Sequence, residues 1–202
     1  MTNKHLKIFV VCVSLLVVSF GAYYLINVFK VKPVTYALNS FLTEIKNGNV
    51  EGAEAFLESS TGFEALKSDL TDIRYKDLTE LILSKTEYKI GRISVNGSVA
   101  SADVYMETVD LFGFYNKYCS ALNPFIEMSI IGTEGERYLA TEKAVSFLMN
   151  VIPQDAGSDS VMCKGNVKIT LILKDGKWVV RSDESLINQL SGNMALFFGK
   201  II

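Results

Sequence analysis

Residues 163–180 read CKGNVKITLILKDGKWVV. Cys163, Val167, Ile169, Leu171 and Leu173 alternate with Lys164, Lys168 and Thr170, the period-two pattern of a strand with one apolar face. Asp175-Gly176 makes the turn of a hairpin. Counting across that turn pairs Leu173 with Trp178 and Leu171 with Val180. All four side chains then share one face, against which helices can pack.

A second hairpin precedes it. Tyr88 and Ile90 have one parity, Ile93 and Val95 the other, so a straight strand cannot hold all four on one side. One extra residue at Gly91-Arg92, a β-bulge, restores a common face. With Asn96-Gly97 as the turn, Ile93 pairs with Ala100, Ile90 with Ala102 and Tyr88 with Val104. Ala100, Ala102, Val104 and Met106 join the apolar set, while Asp103, Tyr105 and Glu107 take the opposite face.

Helical spacing surrounds the hairpins. Pro33 can open a helix that carries Val34, Ala37, Leu38, Phe41, Leu42 and Ile45, ended at Asn47-Gly48. Asn49 caps a short helix with Ala53, Phe56 and Leu57, and Ser59-Ser60-Thr61-Gly62 breaks it. Leu70, Ile73, Leu78, Leu81 and Ile82 predict a third helix. Residues 111–160 read as a helical insert between the hairpins. Its first part is aromatic, it is broken or restarted at Asn123-Pro124, and it continues from a capping-box pattern at Thr133 and Glu136. Ser182 or Asp183 caps a last helix with Leu186, Ile187 and Leu190, stopped at Gly192-Asn193. The order is α+β.

Residues 8–29, IFVVCVSLLVVSFGAYYLINVF, carry no charge and suffice to cross a hydrocarbon core of ~30 Å as a helix. A cleaved signal would need a small-x-small site, and the nearest candidate, Gly21-Ala22, is followed by bulky Tyr23. A lipid-modified cysteine would follow the apolar run, whereas Cys12 lies inside it. An uncleaved anchor over 8–29 is therefore expected, after a cytoplasmic tail of residues 1–7. Basic residues flank it on both sides, and a short tail before a large domain predicts amino terminus inside, domain outside. Lys4, Lys7, Lys30 and Lys32 are the only charged side chains in residues 1–32, so the other 170 residues hold 16 of the 20 basic and all 22 acidic ones. That net of -6 opposes nucleic-acid binding, which needs a basic face.

Three passages resemble the nuclear transport factor 2-like (cystatin-like) superfamily, in particular its membrane- or lipid-anchored bacterial envelope members. These are residues 41–53, FLTEIKNGNVEGA, with Asn49 where the family usually has aspartate; the Asn96-Gly97 hairpin; and residues 173–180, LKDGKWVV. The resemblance covers most of residues 33–192. It implies a cone of amino-terminal helices on a curved antiparallel sheet of about four strands.

Catalytic chemistry finds little support. The single histidine, His5, lies in the tail, which removes imidazole catalysis and histidine–zinc sites from the domain. Cys119 and Cys163 read as buried free thiols, with a disulfide as the alternative. The superfamily's enzymes use pocket carboxylates and tyrosines, which would here be Asp103, Glu107 and Tyr105; their parity places them on the outer face. No catalytic residue, metal site or cofactor is expected. The expected function is a non-catalytic, envelope-anchored module that binds a protein partner or a small apolar ligand. Alternatives are a bitopic subunit of a conjugation or secretion channel and an isomerase- or dehydratase-like enzyme. Candidate contact residues are Phe112, Tyr115 and Tyr118 in the aromatic helix, and Leu196, Phe197 and Phe198 in the apolar segment 193–202. That segment should dock on its own domain; contact with the membrane surface, a partner or a second copy is the alternative.

Overall fold

Helix α1 (Asn3–Ile26) passes without interruption through a π-helical turn (Asn27–Val31) into α2 (Lys32–Lys46). The computed structural model describes residues 3–60, 63–181, 184–193 and 197. Pro33 does not start a separate helix; it sits in the first turn of α2 as part of this continuous rod. Proline lacks the N–H that would bond one turn back, and its ring crowds that carbonyl, so the ladder widens just before it. The Thr35 hydroxyl donates to the Val31 carbonyl at 2.9 Å. One helix is thus long and apolar enough to cross a membrane, and its apolar side chains from Leu15 to Leu25 are exposed.

The domain follows. Asn49 caps α3 (Val50–Glu54), its side chain accepting from the Gly52 N–H at 3.1 Å. The expected third helix is two helices, α4 (Glu64–Thr71) and α5 (Lys76–Ser84). Between them the Asp72 carboxylate accepts from the Arg74 N–H at 2.9 Å and holds the Arg74 guanidinium at 2.5 Å. This local side-chain turn competes with the helical ladder. It also leaves Ile73, expected inside, 88% exposed.

Strands β1 (Glu87–Asn96), β2 (Val99–Val109), β3 (Met162–Lys174) and β4 (Lys177–Val180) form an open antiparallel sheet in chain order. The bulge falls between Ile90 and Ile93, as parity requires. The β1–β2 register differs from the expected one by two residues: Ile93 pairs with Ala102, Ile90 with Val104 and Tyr88 with Met106. Asn96 pairs with Val99, so the turn is Gly97-Ser98 rather than Asn96-Gly97. Only Gly97 has positive φ there, +59°, as a turn with glycine in its first central position needs. A two-residue shift preserves every side chain's face, so the apolar set still points inward. The β3–β4 hairpin has the expected register, with Asp175 and Gly176 both at positive φ.

Helices α6 (Leu111–Ile131) and α7 (Glu134–Asp155) connect β2 to β3. The chain does not break at Asn123-Pro124. Its non-helical residue is Tyr118, which lies ahead of Ser120, the residue whose carbonyl Pro124 leaves without a helical donor. The Glu136 carboxylate accepts from the Thr133 N–H at 2.7 Å and from its hydroxyl at 2.8 Å, the reach-back half of the capping box, and these bonds hold its pKa below the usual carboxylate range. Helix α8 (Glu184–Leu190) buries Leu186, Ile187 and Leu190 and stops at Gly192-Asn193; its expected caps, Ser182 and Asp183, lie outside the described residues. A Cβ at Gly192 would meet the Val109 carbonyl oxygen at 2.7 Å, and φ there is +65°, so glycine alone fits this close approach.

Two apolar clusters result. One joins α2, α8 and the inner face of the sheet, with Phe41, Ala102, Val104 and Leu171 at its centre. The other joins α5, α6, α7 and the far ends of β2 and β3.

Candidate functional site

An apolar concavity lies where the rod enters the domain. It has a volume of about 650 Å³ and is lined by the first turns of α2, by Ala55-Phe56 and by the β3–β4 turn with Trp178. Each wall has a local cause. Tyr36 is 70% exposed because it lies off the buried stripe of Val34, Ala37, Leu38 and Phe41. Phe56 is held by backbone bonds: the Val180 N–H donates to the Phe56 carbonyl at 2.7 Å, and the Glu58 N–H to the Val180 carbonyl at 2.9 Å. Its ring meets that of Tyr36 edge-on at 6.4 Å. Trp178, half-buried, reaches the groove because the tight turn places it beside Lys177 and opposite Leu173.

The groove's charges are of one sign. Lys32 and Lys177 line it and no carboxylate does. Among the described residues neither ammonium has an ion-pair partner. Apolar walls with a few placed polar groups are the general pattern of small-ligand sites. A second concavity, of about 560 Å³, lies between Ile73-Arg74-Asp77 and α7 from Tyr138 to Asn150; it carries Asp77 and Glu142 beside Arg74.

The sequence-derived candidates lie elsewhere. Phe112 and Phe197 meet edge-on at 5.8 Å, with Phe197 only 2% exposed in the second cluster. Phe197 therefore docks on its own domain, while Leu196 and Phe198 lie outside the described residues. The Tyr115 hydroxyl bonds Asn123 Oδ1 at 3.0 Å. Tyr118 stacks on Phe114 and meets Phe147 edge-on, and its hydroxyl donates to Asp155. Lys117 pairs with the same carboxylate at 2.8 Å, and that bond holds Asp155 below the usual range. Phe112, Tyr115 and Tyr118 are thus half-buried in the α6–α7 region and do not line the groove.

Asp103, Tyr105 and Glu107 stand on the outer face. Asp103 and Tyr105 are exposed, and Glu107 pairs with Lys164 at 2.9 Å, which also binds Asp159 at 2.7 Å. They form no enclosed site of the kind that tunes a carboxylate for proton transfer. Cys119 and Cys163 are free, half-buried thiols rather than fully buried ones. Among the described residues no cluster of metal-ligating side chains occurs.

Among the described residues two titratable groups are strongly perturbed: Lys164, which its bonds to Asp159 and then Glu107 push up, and Asp69. Burial, and then the Asp72 charge, push Asp69 up from 3.8 to about 6. It lines neither concavity, so its effect is on stability. A raised carboxyl pKa means the fold favours the neutral form. That contribution is complete below 3.8 and is lost as pH rises through about 6. Asp69→Asn is expected to stabilise the protein at neutral pH by about 1 kcal/mol, after reducing the shift's value for partial exposure. It should also flatten the loss of stability across that window. Urea unfolding on either side of the window checks this; a variant less stable than the native protein at neutral pH contradicts it.

The groove was not legible as a site because its three rings come from separate segments. The available signal was Tyr36, an aromatic just beyond the span and off its helix's buried stripe. Comparison with protein-family models, with curated proteins and with solved structures found no match.

Proposed function

We propose that this chain is a single-span membrane protein whose domain acts as a non-catalytic binding module, with its ligand in the groove at the anchor–domain junction. The observation that carries this is the groove itself: Tyr36, Phe56 and Trp178 present apolar surface around about 650 Å³, with Lys32 and Lys177 as its only charged lining. Apolar walls favour burial of an apolar ligand, and the two cations orient it. We further assign the domain to the nuclear transport factor 2-like superfamily, with a cone form in which α6 and α7 are an insert. The bulged sheet with α2 across its inner face supports that assignment. The domain faces out of the cytoplasm.

A photo-cross-linking amino acid in place of Tyr36, illuminated in intact cells, tests the binding role. The expected product is the chain with a small-molecule adduct, read by mass. A protein adduct instead would favour the channel-subunit alternative. No adduct at all would overturn the groove as a binding site.

A further inference from the structure

Resting on that groove and on the membrane-spanning role of α1, we infer that the ligand is an anionic phospholipid of the bilayer the chain crosses, its phosphate held by Lys32 and Lys177 and an acyl chain laid against Tyr36, Phe56 and Trp178.

Depth is the first support. Residues 8–29 are 22 in number, about 33 Å of helix at 1.5 Å each, which fills a hydrocarbon core of about 30 Å. Because the rod is continuous, each residue after Phe29 has a defined height above that core. Lys32 stands about 5 Å and Tyr36 about 10 Å beyond it. The headgroup layer on each side is about 5–7 Å thick. The groove therefore begins among the headgroups and opens just above them, so a lipid whose phosphate sits at Lys32 reaches Tyr36, Phe56 and Trp178 by turning one acyl chain upward, out of the hydrocarbon core.

The domain's orientation on the rod agrees. Lys46 pairs with Glu87 at 2.7 Å, and Tyr88 bonds Thr43 at 2.9 Å, so the start of β1 lies at the far end of α2. The other end of β1 points back toward the membrane and packs on the π-helical turn. Both hairpin turns lie at that end, joined by the Leu173 N–H donating to the Ser98 carbonyl at 2.8 Å. Val99 and Leu173, next to these turns, are 45% and 41% exposed, an apolar rim on the side facing the bilayer.

Charge is the third support. Beyond residue 32 the chain carries a net of -6, yet the groove lining holds only lysines, and Lys30 precedes it on the rod. Ammonium groups without carboxylate partners at headgroup height select a negatively charged lipid over a zwitterionic one. The aromatic walls alone would not discriminate.

Trp178 is the chain's single tryptophan, so its fluorescence reports on this groove alone. The full chain is reconstituted into vesicles of phosphatidylcholine with a minor fraction of phosphatidylglycerol. In parallel samples, bromine is placed on the acyl chain of the phosphatidylglycerol, or on the same mole fraction of the phosphatidylcholine. We expect quenching of Trp178 by the brominated anionic lipid to be about five-fold stronger, the factor one surface lysine contributes to anionic-lipid attraction. The K32Q/K177Q variant should bring the two to equality, and K32R/K177R should retain the preference. Equal quenching in the native chain, or none from either lipid, overturns the lipid assignment. With a small-molecule adduct at Tyr36, such a failure leaves the binding role standing with a different ligand; with no adduct, both fall.

Discussion

Phe41→Ala is expected to lower the unfolding free energy by about 3–5 kcal/mol, the cost of removing a buried aromatic ring. Phe41 is fully buried between α2 and the inner face of the sheet, in the cluster that includes Ala102, Val104 and Leu171. A ring this deeply buried leaves, when removed, a void that a close-packed interior fills only in part. Against a typical domain stability of about 5–15 kcal/mol this is a large fraction. It would also loosen the seat of the sheet on the rod that carries it to the membrane. Tyr36→Ala, five residues earlier on the same helix but 70% exposed, is the internal control and should change stability by less than about 0.5 kcal/mol. Urea unfolding of the full chain, followed by Trp178 fluorescence, measures both. A Phe41→Ala loss below about 1 kcal/mol would mean that α2 does not anchor the core.

The second large effect is all-or-none. Protease added to intact, wall-stripped cells is expected to digest the domain and leave a short amino-terminal fragment. Lysines on both sides of the span nearly balance, so charge alone selects no orientation, and long domains translocate largely regardless of it. Cleavage should begin in exposed connections such as residues 157–160, all four of which are exposed. Complete protection of the domain would reverse the orientation, and the lysine-lined groove would then face the inner leaflet.

The sequence by itself determined what short-range periodicity controls. Alternation in residues 163–173 and the Asp175-Gly176 turn specified the β3–β4 register, because a type I′ turn leaves no freedom in counting. The parity conflict across Gly91-Arg92 required a bulge, and the bulge is there. The uncharged run 8–29 determined a helix long enough to span, since length and hydropathy are additive along the chain. Tertiary structure decided the rest. The β1–β2 pairing could slide by two residues because both registers put the same side chains inward, and only the turn's backbone chose between them. The third helix divided at Asp72-Arg74 because a side-chain bond there outcompeted the helical ladder. Phe112, Tyr115 and Tyr118 are half-buried because α6 folds back on α7, a contact no local pattern encodes. The groove is the clearest case. Tyr36, Phe56 and Trp178 meet only because α2 lies along β4 and Val180 bonds the backbone at Phe56, contacts between segments far apart in sequence whose closure no spacing rule specifies.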